Sequence, residues 1–89
     1  MSSVATQITV AASAAQVPSN PISKQVTFYA LSGNTGTTYI GTSSSVSSSN
    51  GYPLEKGTNV TIPITGNGGN TNQFWTIGTA SDKVGIAGA

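Results

Sequence analysis

Residues 37–57, TTYIGTSSSVSSSNGYPLEKG, contain the features that decide the predicted fold. The stretch begins with β-branched and aromatic residues, which favour a strand, and this strand is predicted to end at Gly41. A loop rich in serine follows, and the dipeptide NG at 50–51 predicts a tight turn. Residues 52–54 then bring the chain back, and residues 55–57 predict the next turn. The stretch is therefore predicted to form a strand, a long polar loop and a returning strand.

Two aliphatic side chains are expected to fix this loop. Val46 and Leu54 are the only aliphatic residues between Ile40 and Val60. Because burial of apolar side chains is favourable, we expect both to be buried and to pin the loop to a core. The predicted structural residues of the stretch are Tyr39, Ile40, Gly41, Val46, Gly51, Leu54 and Gly57.

Alternation of side chains with a period of two predicts further strands. The first of them has one face formed by Val4, Thr6, Ile8 and Val10. Residues 24–31 form the clearest strand, and because both of its faces carry large apolar groups we expect it to be central and covered on both sides. Pro63 lacks an amide hydrogen, which predicts a sheet edge or a strand end at that position. The remaining strands are predicted at 37–41, 57–64, 73–79 and 84–87.

The segments between these strands predict turns and irregular structure. Residues 12–23 contain two prolines and predict an ordered but irregular connector. Residues 32–36 contain two glycines and predict the turn of a hairpin. Residues 65–72, TGNGGNTN, predict a flexible loop, and residues 80–83 predict a turn.

The short strands and glycine-rich turns predict an all-β fold. Six to seven strands at a spacing of about 8–12 residues favour a small antiparallel β-sandwich or barrel with a long Ser-rich loop. Residues 1–23 are predicted to be an N-terminal strand or arm with its connector, and residues 24–89 the β-sandwich domain. Because the edge strands have few charges, we expect them to be covered, most simply by a partner subunit.

The composition narrows the possible function classes. The chain has 89 residues with no cysteine and no histidine, which excludes a disulfide and the commonest zinc ligands. Charged residues make up 6% of the chain and the net charge is +1, which does not favour binding to nucleic acid. No stretch approaches the roughly 20 apolar residues of a membrane span, so we expect no membrane partner.

Two carboxylates are the candidates for acid–base catalysis. Glu55 and Asp82 each precede a lysine in a predicted turn, where solvated side chains are expected. The serines have no histidine to activate them, and two carboxylates are too few for a tight calcium site. We therefore expect no enzyme activity, no cofactor and no metal.

Some apolar residues are expected at an interface. The alanine-rich N-terminal arm is either an ordinary first strand or a tether to a neighbouring subunit. Tyr52 and Trp75 each adjoin another large apolar residue that must point the other way, which makes them the best candidates for an exposed platform. The alternative for both rings is simple burial in the core. The candidate interface residues are Val4, Ile8, Val10, Tyr52 and Trp75.

The 37–57 stretch resembles small β-sandwich virion proteins of tailed bacteriophages. These proteins carry a Tyr-X-Gly strand end, an isolated Val, an Asn/Ser-Gly-hydrophobic-X-Leu segment and a Gly that begins the next strand. The matching residues here are Tyr39, Ile40, Gly41, Val46, Asn50, Gly51, Tyr52, Pro53, Leu54 and Gly57. Residues 75–80, WTIGTA, followed by Val84, also look like the last two strands of that family, so the resemblance covers residues 24–87.

The resemblance implies a structural protein rather than an enzyme. It implies a capsid cement or decoration protein that stabilises the phage head by bridging subunits of the major capsid protein. Such a protein would lie on the capsid exterior of the virion after synthesis in the host cytoplasm, and we expect a homo-oligomer, either a trimer or a dimer. The alternative is a binding module of a tail or fibre that recognises a host surface glycan or receptor.

Overall fold

The computed structural model describes residues 4–64 and 69–89, with Val4 described by its backbone alone. These residues form ten strands and a single turn of 3-10 helix at Thr71–Gln73, which confirms the predicted all-β class. The strands are β1 (Val4–Thr9), β2 (Ala15–Gln16), β3 (Pro21–Ile22), β4 (Gln25–Ala30), β5 (Thr38–Gly41), β6 (Tyr52–Leu54), β7 (Asn59–Pro63), β8 (Gly69–Asn70), β9 (Trp75–Ile77) and β10 (Lys83–Gly88).

Eight of these strands form two four-stranded antiparallel sheets. Sheet 1 has the order β1-β10-β4-β7, sheet 2 has the order β2-β9-β5-β6, and β3 pairs with β8 alone. With that small pair set aside, this order is the connectivity of a jelly roll. The chain passes from one sheet to the other at every step except β5 to β6, which are neighbours in sheet 2. The serine-rich stretch therefore connects the one pair of consecutive strands that share a four-stranded sheet.

The core lies between the two sheets and follows the predicted alternation. Val26, Phe28 and Ala30 of β4 point inward and are fully buried. Across the core, the rings of Phe28 and Phe74 meet edge to face with their centroids 5.2 Å apart. Such a contact stabilises by area burial and by the favourable geometry of the two rings. It joins β4 of sheet 1 to the residue that precedes β9 of sheet 2.

Two expectations about β4 had different outcomes. The strand is central, as predicted, because it lies between β10 and β7. The prediction that both faces are covered is wrong, since Tyr29 on the outer face is 38% exposed. The predicted hairpin turn at 32–36 is also wrong, because these residues carry the chain from β4 in sheet 1 to β5 in sheet 2. Glycine content predicts a turn in the backbone, but it does not specify which strands the turn connects.

The segments predicted to be irregular contain short strands. Residues 12–23 include β2 and β3, and their Val17 and Ile22 are buried in the same core as β4. The predicted loop at 65–72 also differs, because Gly69–Asn70 forms β8; residues 65–68 lie outside the described residues. Two-residue strands are too short to show a periodic pattern, so no alternation along the chain indicates them.

Thr38 on β5 is expected to be a site where a substitution stabilises the protein. Its side chain is fully buried, and its hydroxyl has no hydrogen-bond partner among the described residues. Thr38→Val removes this unpaired group while keeping the branched shape, so we expect the free energy of unfolding to rise by about 1 kcal/mol. Thermal or urea denaturation measures the change.

The control for Thr38 is another buried threonine. Thr71 donates its hydroxyl hydrogen to the carbonyl of Pro18, so Thr71→Val leaves that acceptor without its partner and should destabilise. If Thr38→Val lowered stability as Thr71→Val does, the Thr38 hydroxyl would have to be hydrogen-bonded in solution.

No helix in residues 4–64 or 69–89 is long and apolar enough to cross a membrane.

Candidate functional site

An apolar groove opens between the edge strands of the two sheets. It lies where β7 of sheet 1 and β6 of sheet 2 approach each other, and it encloses about 400 Å³. Its lining side chains include Ile40, Val60, Ile62, Phe74 and Tyr52. Val60 and Ile62 point inward but remain half-exposed, and Tyr52 is 55% exposed. The inner layer of the sandwich is therefore open to solvent along this side.

The backbone of β7 presents hydrogen-bonding groups beside this groove. The amide of Ile64 donates to the carbonyl of Lys24, and the amide of Ala30 donates to the carbonyl of Thr58. Hydrogen-bonded pairs recur at every second residue of an antiparallel ladder, so the backbone N–H and C=O groups of the even-numbered residues of β7 point toward β4. The amides of Asn59 and Thr61 consequently face outward, and no strand in the described part of the chain pairs with this edge.

Pro63 has the position that its chemistry predicts. It is the last residue of an edge strand, which confirms both parts of the expectation. By the same alternation it occupies an outward-facing position, where the missing amide hydrogen removes no bond to β4. Pro63 still offers its carbonyl to a partner, so the edge of β7 is only partly blocked.

The four outer edges of the sheets differ in length. In sheet 2, β2 has two residues, and β6 has three with Pro53 at its centre. In sheet 1, β1 has six residues and β7 has five, and neither contains a charged residue. Short strands and proline protect an edge from pairing with another chain, whereas long uncharged edges favour it. Sheet 1 is therefore the sheet whose edges are suited to pairing.

The serine-rich loop satisfies much of its own hydrogen bonding. The side chain of Asn50 accepts from the amide of Ser47 at 2.8 Å and donates to the carbonyl of Ser45 at 3.1 Å. The hydroxyl of Ser43 contacts that of Ser45 at 2.7 Å, and the amide of Gly51 donates to the carbonyl of Ser47. These local bonds are typical of Asn and Ser in turns. They give the loop a defined shape beside the groove.

Val46 and Leu54 are both buried, but in different places. Leu54 belongs to the main core, whereas Val46 lies in a small separate pocket against Gly41 and Gly51. A β-carbon added to Gly41 would lie 2.5 Å from Cγ2 of Val46, and one added to Gly51 would lie 2.9 Å from it. Gly41 is therefore needed because the valine side chain takes the space that a β-carbon would occupy. At Gly51 that space is taken by Val46 together with Cβ of Tyr39, which would lie 2.8 Å from the added carbon.

The other residues singled out in the sequence are distributed over the fold. Ile40 is buried in the core, Tyr39 is half-buried, and Gly57 adopts a positive φ of 79° in the turn before β7. Among the candidate interface residues, Tyr52 is exposed while Ile8 and Trp75 are half-buried. Val10 is 1% exposed and belongs to the chain's own core, so its side chain is not on a surface. The side chain of Val4 lies outside what the structure describes.

Asp82 is buried, although its position in a turn next to a lysine predicted a solvated side chain. One carboxylate oxygen accepts from the amide of Thr35 at 2.9 Å and from its hydroxyl at 3.1 Å, and the other accepts from the amide of Gly36 at 3.0 Å. Asn34 adds two bonds to the backbone of Lys83, each of 2.9 Å. These contacts hold the 32–36 crossover against the turn before β10. The carboxylate of Asp82 therefore stabilises the fold, whereas Glu55 is exposed.

The same contacts change the acidity of Asp82. The hydrogen bond from the Thr35 amide, together with those from Gly36 and the Thr35 hydroxyl and the charge of Lys56, holds the pKa of the carboxyl below its ordinary value of 3.8, against the opposing effect of burial. Because the folded-state pKa is the lower one, the ionised carboxylate stabilises the fold above pH 3.8, and this contribution is lost as the pH falls through the lowered pKa.

Acid unfolding should therefore depend on Asp82. We expect the free energy of unfolding of the wild-type chain to fall below pH 3.8, and Asp82→Asn to be less stable at neutral pH but to lack this part of the pH dependence. Denaturant titrations at a series of pH values measure both. Glu55→Gln, at an exposed turn carboxylate, is the matched control. Parallel pH profiles for the wild type and Asp82→Asn would contradict the role assigned to the carboxylate.

Sequence reasoning missed the groove and the Asp82 contacts for different reasons. Alternation within the predicted 57–64 strand puts Val60 and Ile62 on one face, but it does not indicate whether that face is covered. The partners of Asp82 lie 46 and 47 residues away, so no local pattern indicates them. The available signal was weak: Asn34 and Asp82 are residue types that often cap turns with their side chains.

Comparisons with known proteins add information on the fold. No protein-family model and no curated protein sequence matches the chain. A solved structure with a similar fold comes from Bacillus endospore appendages, which form a family of disulfide-linked pili. It has a TM-score of 0.55 and 18% sequence identity, and the alignment covers 97% of this chain and 79% of that chain. At this identity the similarity concerns the fold, and the resemblance to phage virion proteins stays a prediction.

Proposed function

We propose that this protein is a structural subunit that works by binding other protein subunits, as a decoration protein on a phage head. The observation that carries the proposal is the apolar groove beside the backbone edge of β7, with which no strand among residues 4–64 and 69–89 pairs. An extended peptide paired with such an edge makes main-chain hydrogen bonds and places alternate side chains in the groove. This combination suits a protein partner better than a small polar ligand.

The chemistry of the surface predicts how such an association behaves in salt. The residues that line the groove carry no charge, and the chain contains three basic and two acidic residues in total. Association by apolar burial and backbone pairing is not screened by salt, whereas association between charged surfaces is. Retention on particles should therefore persist in a wash of high ionic strength.

Fold similarity is compatible with an assembling protein. The similar structure belongs to appendages described as disulfide-linked pili. The present chain has no cysteine, so its own copies could not be joined by disulfides. The proposed location on the capsid exterior, with the major capsid protein as partner, rests on the resemblance of residues 24–87 to phage virion proteins.

The second candidate is a glycan- or receptor-binding module of a tail or fibre. The exposed ring of Tyr52 beside the groove favours it, because aromatic rings stack on apolar faces of ligands. Most of the other lining side chains are aliphatic or aromatic and offer few hydrogen bonds to sugar hydroxyls. A glycan array with the wild type and Tyr52→Ser tests this candidate: binding that depends on Tyr52 would support it.

Copy number in purified particles tests the first proposal. Quantitative mass spectrometry against the major capsid protein should find hundreds of copies in a simple ratio to the capsid subunit, unchanged after a high-salt wash. A handful of copies would indicate a tail, fibre or vertex component instead. Absence from the particle would overturn the virion assignment.

A further inference from the structure

We infer that the edge of β7 is completed by β1 of a second copy of this chain, so that sheet 1 continues from one copy into the next. The inference rests on the proposed structural function and names the partner at the groove. It is a head-to-tail contact, since it joins two different edges of the same sheet. Three properties of the two edges support it: strand direction, the outward-facing backbone groups, and the side chains beside them.

Strand direction permits this contact without reversing either copy. Every neighbouring pair in the order β1-β10-β4-β7 is antiparallel. With four strands in the sheet, β1 and β7 consequently run in opposite directions. A second copy placed with its β1 beside β7 therefore continues the antiparallel ladder in the same orientation, and the step can be repeated.

The backbone groups of the two edges match over five residues. The amide of Val10 donates to the carbonyl of Asp82 at 2.7 Å, so the backbone groups of the even-numbered residues of β1 point toward β10. The backbone groups of Ala5, Gln7 and Thr9 therefore point away from the sheet. On β7 the residues whose backbone groups point away from the sheet are Asn59, Thr61 and Pro63. The register with full overlap places Ala5, Gln7 and Thr9 of one copy opposite Pro63, Thr61 and Asn59 of the next. Pro63 removes one amide from this ladder and leaves its carbonyl to accept from Ala5.

The inward-facing side chains of the two edges would pack against one another. In this register Ile8 lies opposite Val60, and Thr6 lies opposite Ile62. Ile8, Val60 and Ile62 all pack against the core but remain half-exposed in the isolated chain. A head-to-tail contact covers all three, whereas pairing two β7 edges about a two-fold axis would leave Ile8 open. Neither strand carries a charge, so no like-charge repulsion opposes a second copy.

The consequence is a ring or a chain of subunits. A head-to-tail contact leaves one unpaired β1 and one unpaired β7 at the ends, so it closes into a ring if the rotation permits and otherwise extends. Each copy uses each edge once. The assembly then presents many identical copies to a surface, and weak individual contacts with that surface add by avidity.

Cysteine cross-linking tests the contact directly, because the chain has no cysteine of its own. Gln7 and Thr61 are exposed and would be directly opposite, at a Cα separation that a disulfide can span. The double variant Gln7→Cys/Thr61→Cys should give a ladder of oligomers on a non-reducing gel after mild oxidation. Gln7→Cys alone and Thr61→Cys alone should give no disulfide-linked species on the same denaturing gel.

Any other outcome of the cross-linking experiment overturns the inference. A dimer of Thr61→Cys alone would show that two β7 strands pair about a two-fold axis, and a dimer of Gln7→Cys alone would show that two β1 strands pair. A double variant that gives no disulfide-linked species, while its circular dichroism matches that of the wild type, would show that β1 and β7 do not meet.

A second measurement uses the unmodified chain. Analytical ultracentrifugation of the wild type should give the mass of two or more chains, each of 8.9 kDa. Thr61→Pro removes one outward-facing amide without removing a backbone hydrogen bond to β4, so it should shift the mass to that of one chain. Thr61→Val keeps the amide but loses the hydroxyl contact to Thr27, and it should remain oligomeric.

The outcomes separate this inference from the proposed function. A wild type that is monomeric at its highest attainable concentration, or a Thr61→Pro variant with the same oligomeric mass, overturns the β1–β7 contact. Neither result changes the copy number on particles, which tests the structural function itself. Conversely, a β1–β7 oligomer with no copies on particles would leave the contact standing and remove the decoration role.

Discussion

Phe28→Ala is expected to lower the free energy of unfolding by about 3–5 kcal/mol. Phe28 is fully buried at the centre of sheet 1, and its ring packs edge to face on Phe74 with centroids 5.2 Å apart. The truncation removes apolar area from the core and leaves a cavity on which both sheets border. A domain of this size has a total stability of roughly 4–13 kcal/mol, so the variant should be unfolded or close to unfolding.

The neighbouring residue provides the matched control for Phe28. Tyr29 follows on the same strand but points to the outer face, where it is 38% exposed. Tyr29→Ala should change the free energy of unfolding by less than about 1 kcal/mol, since it leaves no cavity in the core. Urea denaturation followed by circular dichroism measures both variants. Equal losses for Phe28→Ala and Tyr29→Ala would mean that the outer face is covered in solution.

Gly41→Ala is expected to destabilise the protein by about 1–3 kcal/mol, although the change adds a single methyl group. The added carbon would lie 2.5 Å from Cγ2 and 2.7 Å from Cβ of Val46, which is closer than nonbonded carbons pack. Either Val46 leaves its pocket or the end of β5 moves. Because Gly41 also borders the groove near Tyr52, the substitution should disturb that surface together with the loop.

A double variant distinguishes this steric cause from a general sensitivity to substitution at glycine. Val46→Gly removes the atoms that clash, so Gly41→Ala/Val46→Gly should lose less stability than the sum of the two single variants, with a coupling of about 0.5–3 kcal/mol. Gly33→Ala is the control, because no atom lies within 4 Å of the carbon that it adds. It should be neutral or slightly stabilising. Strict additivity of the Gly41 and Val46 changes would contradict the proposed contact.

The candidate site was only partly predictable from the sequence. Tyr52 was a candidate for an exposed ring, and its ring is exposed. It lies on the same face of β6 as the buried Leu54, but at the groove, where the inner layer opens to solvent. Val10 was grouped with the interface but lies in the core, because alternation gives the same signal for an inward-facing residue and for one that awaits a partner. The groove itself depends on which two edge strands approach each other, and that information is absent from any single stretch of the chain.

Local physical chemistry in the sequence alone determined the strand faces and the 37–57 hairpin. Val26, Phe28 and Ala30 point inward because side chains alternate along an extended backbone, and the turn chemistry of Asn50-Gly51 acts within a few residues. Only the tertiary structure decided which strands are neighbours, where the 32–36 segment crosses, and that Asp82 is buried. Thr9 and Lys83 pair across 74 residues, and such contacts are selected by the packing of both sheets at once. A periodic pattern specifies the face of each strand, whereas the order of the strands follows from the free energy of the whole core.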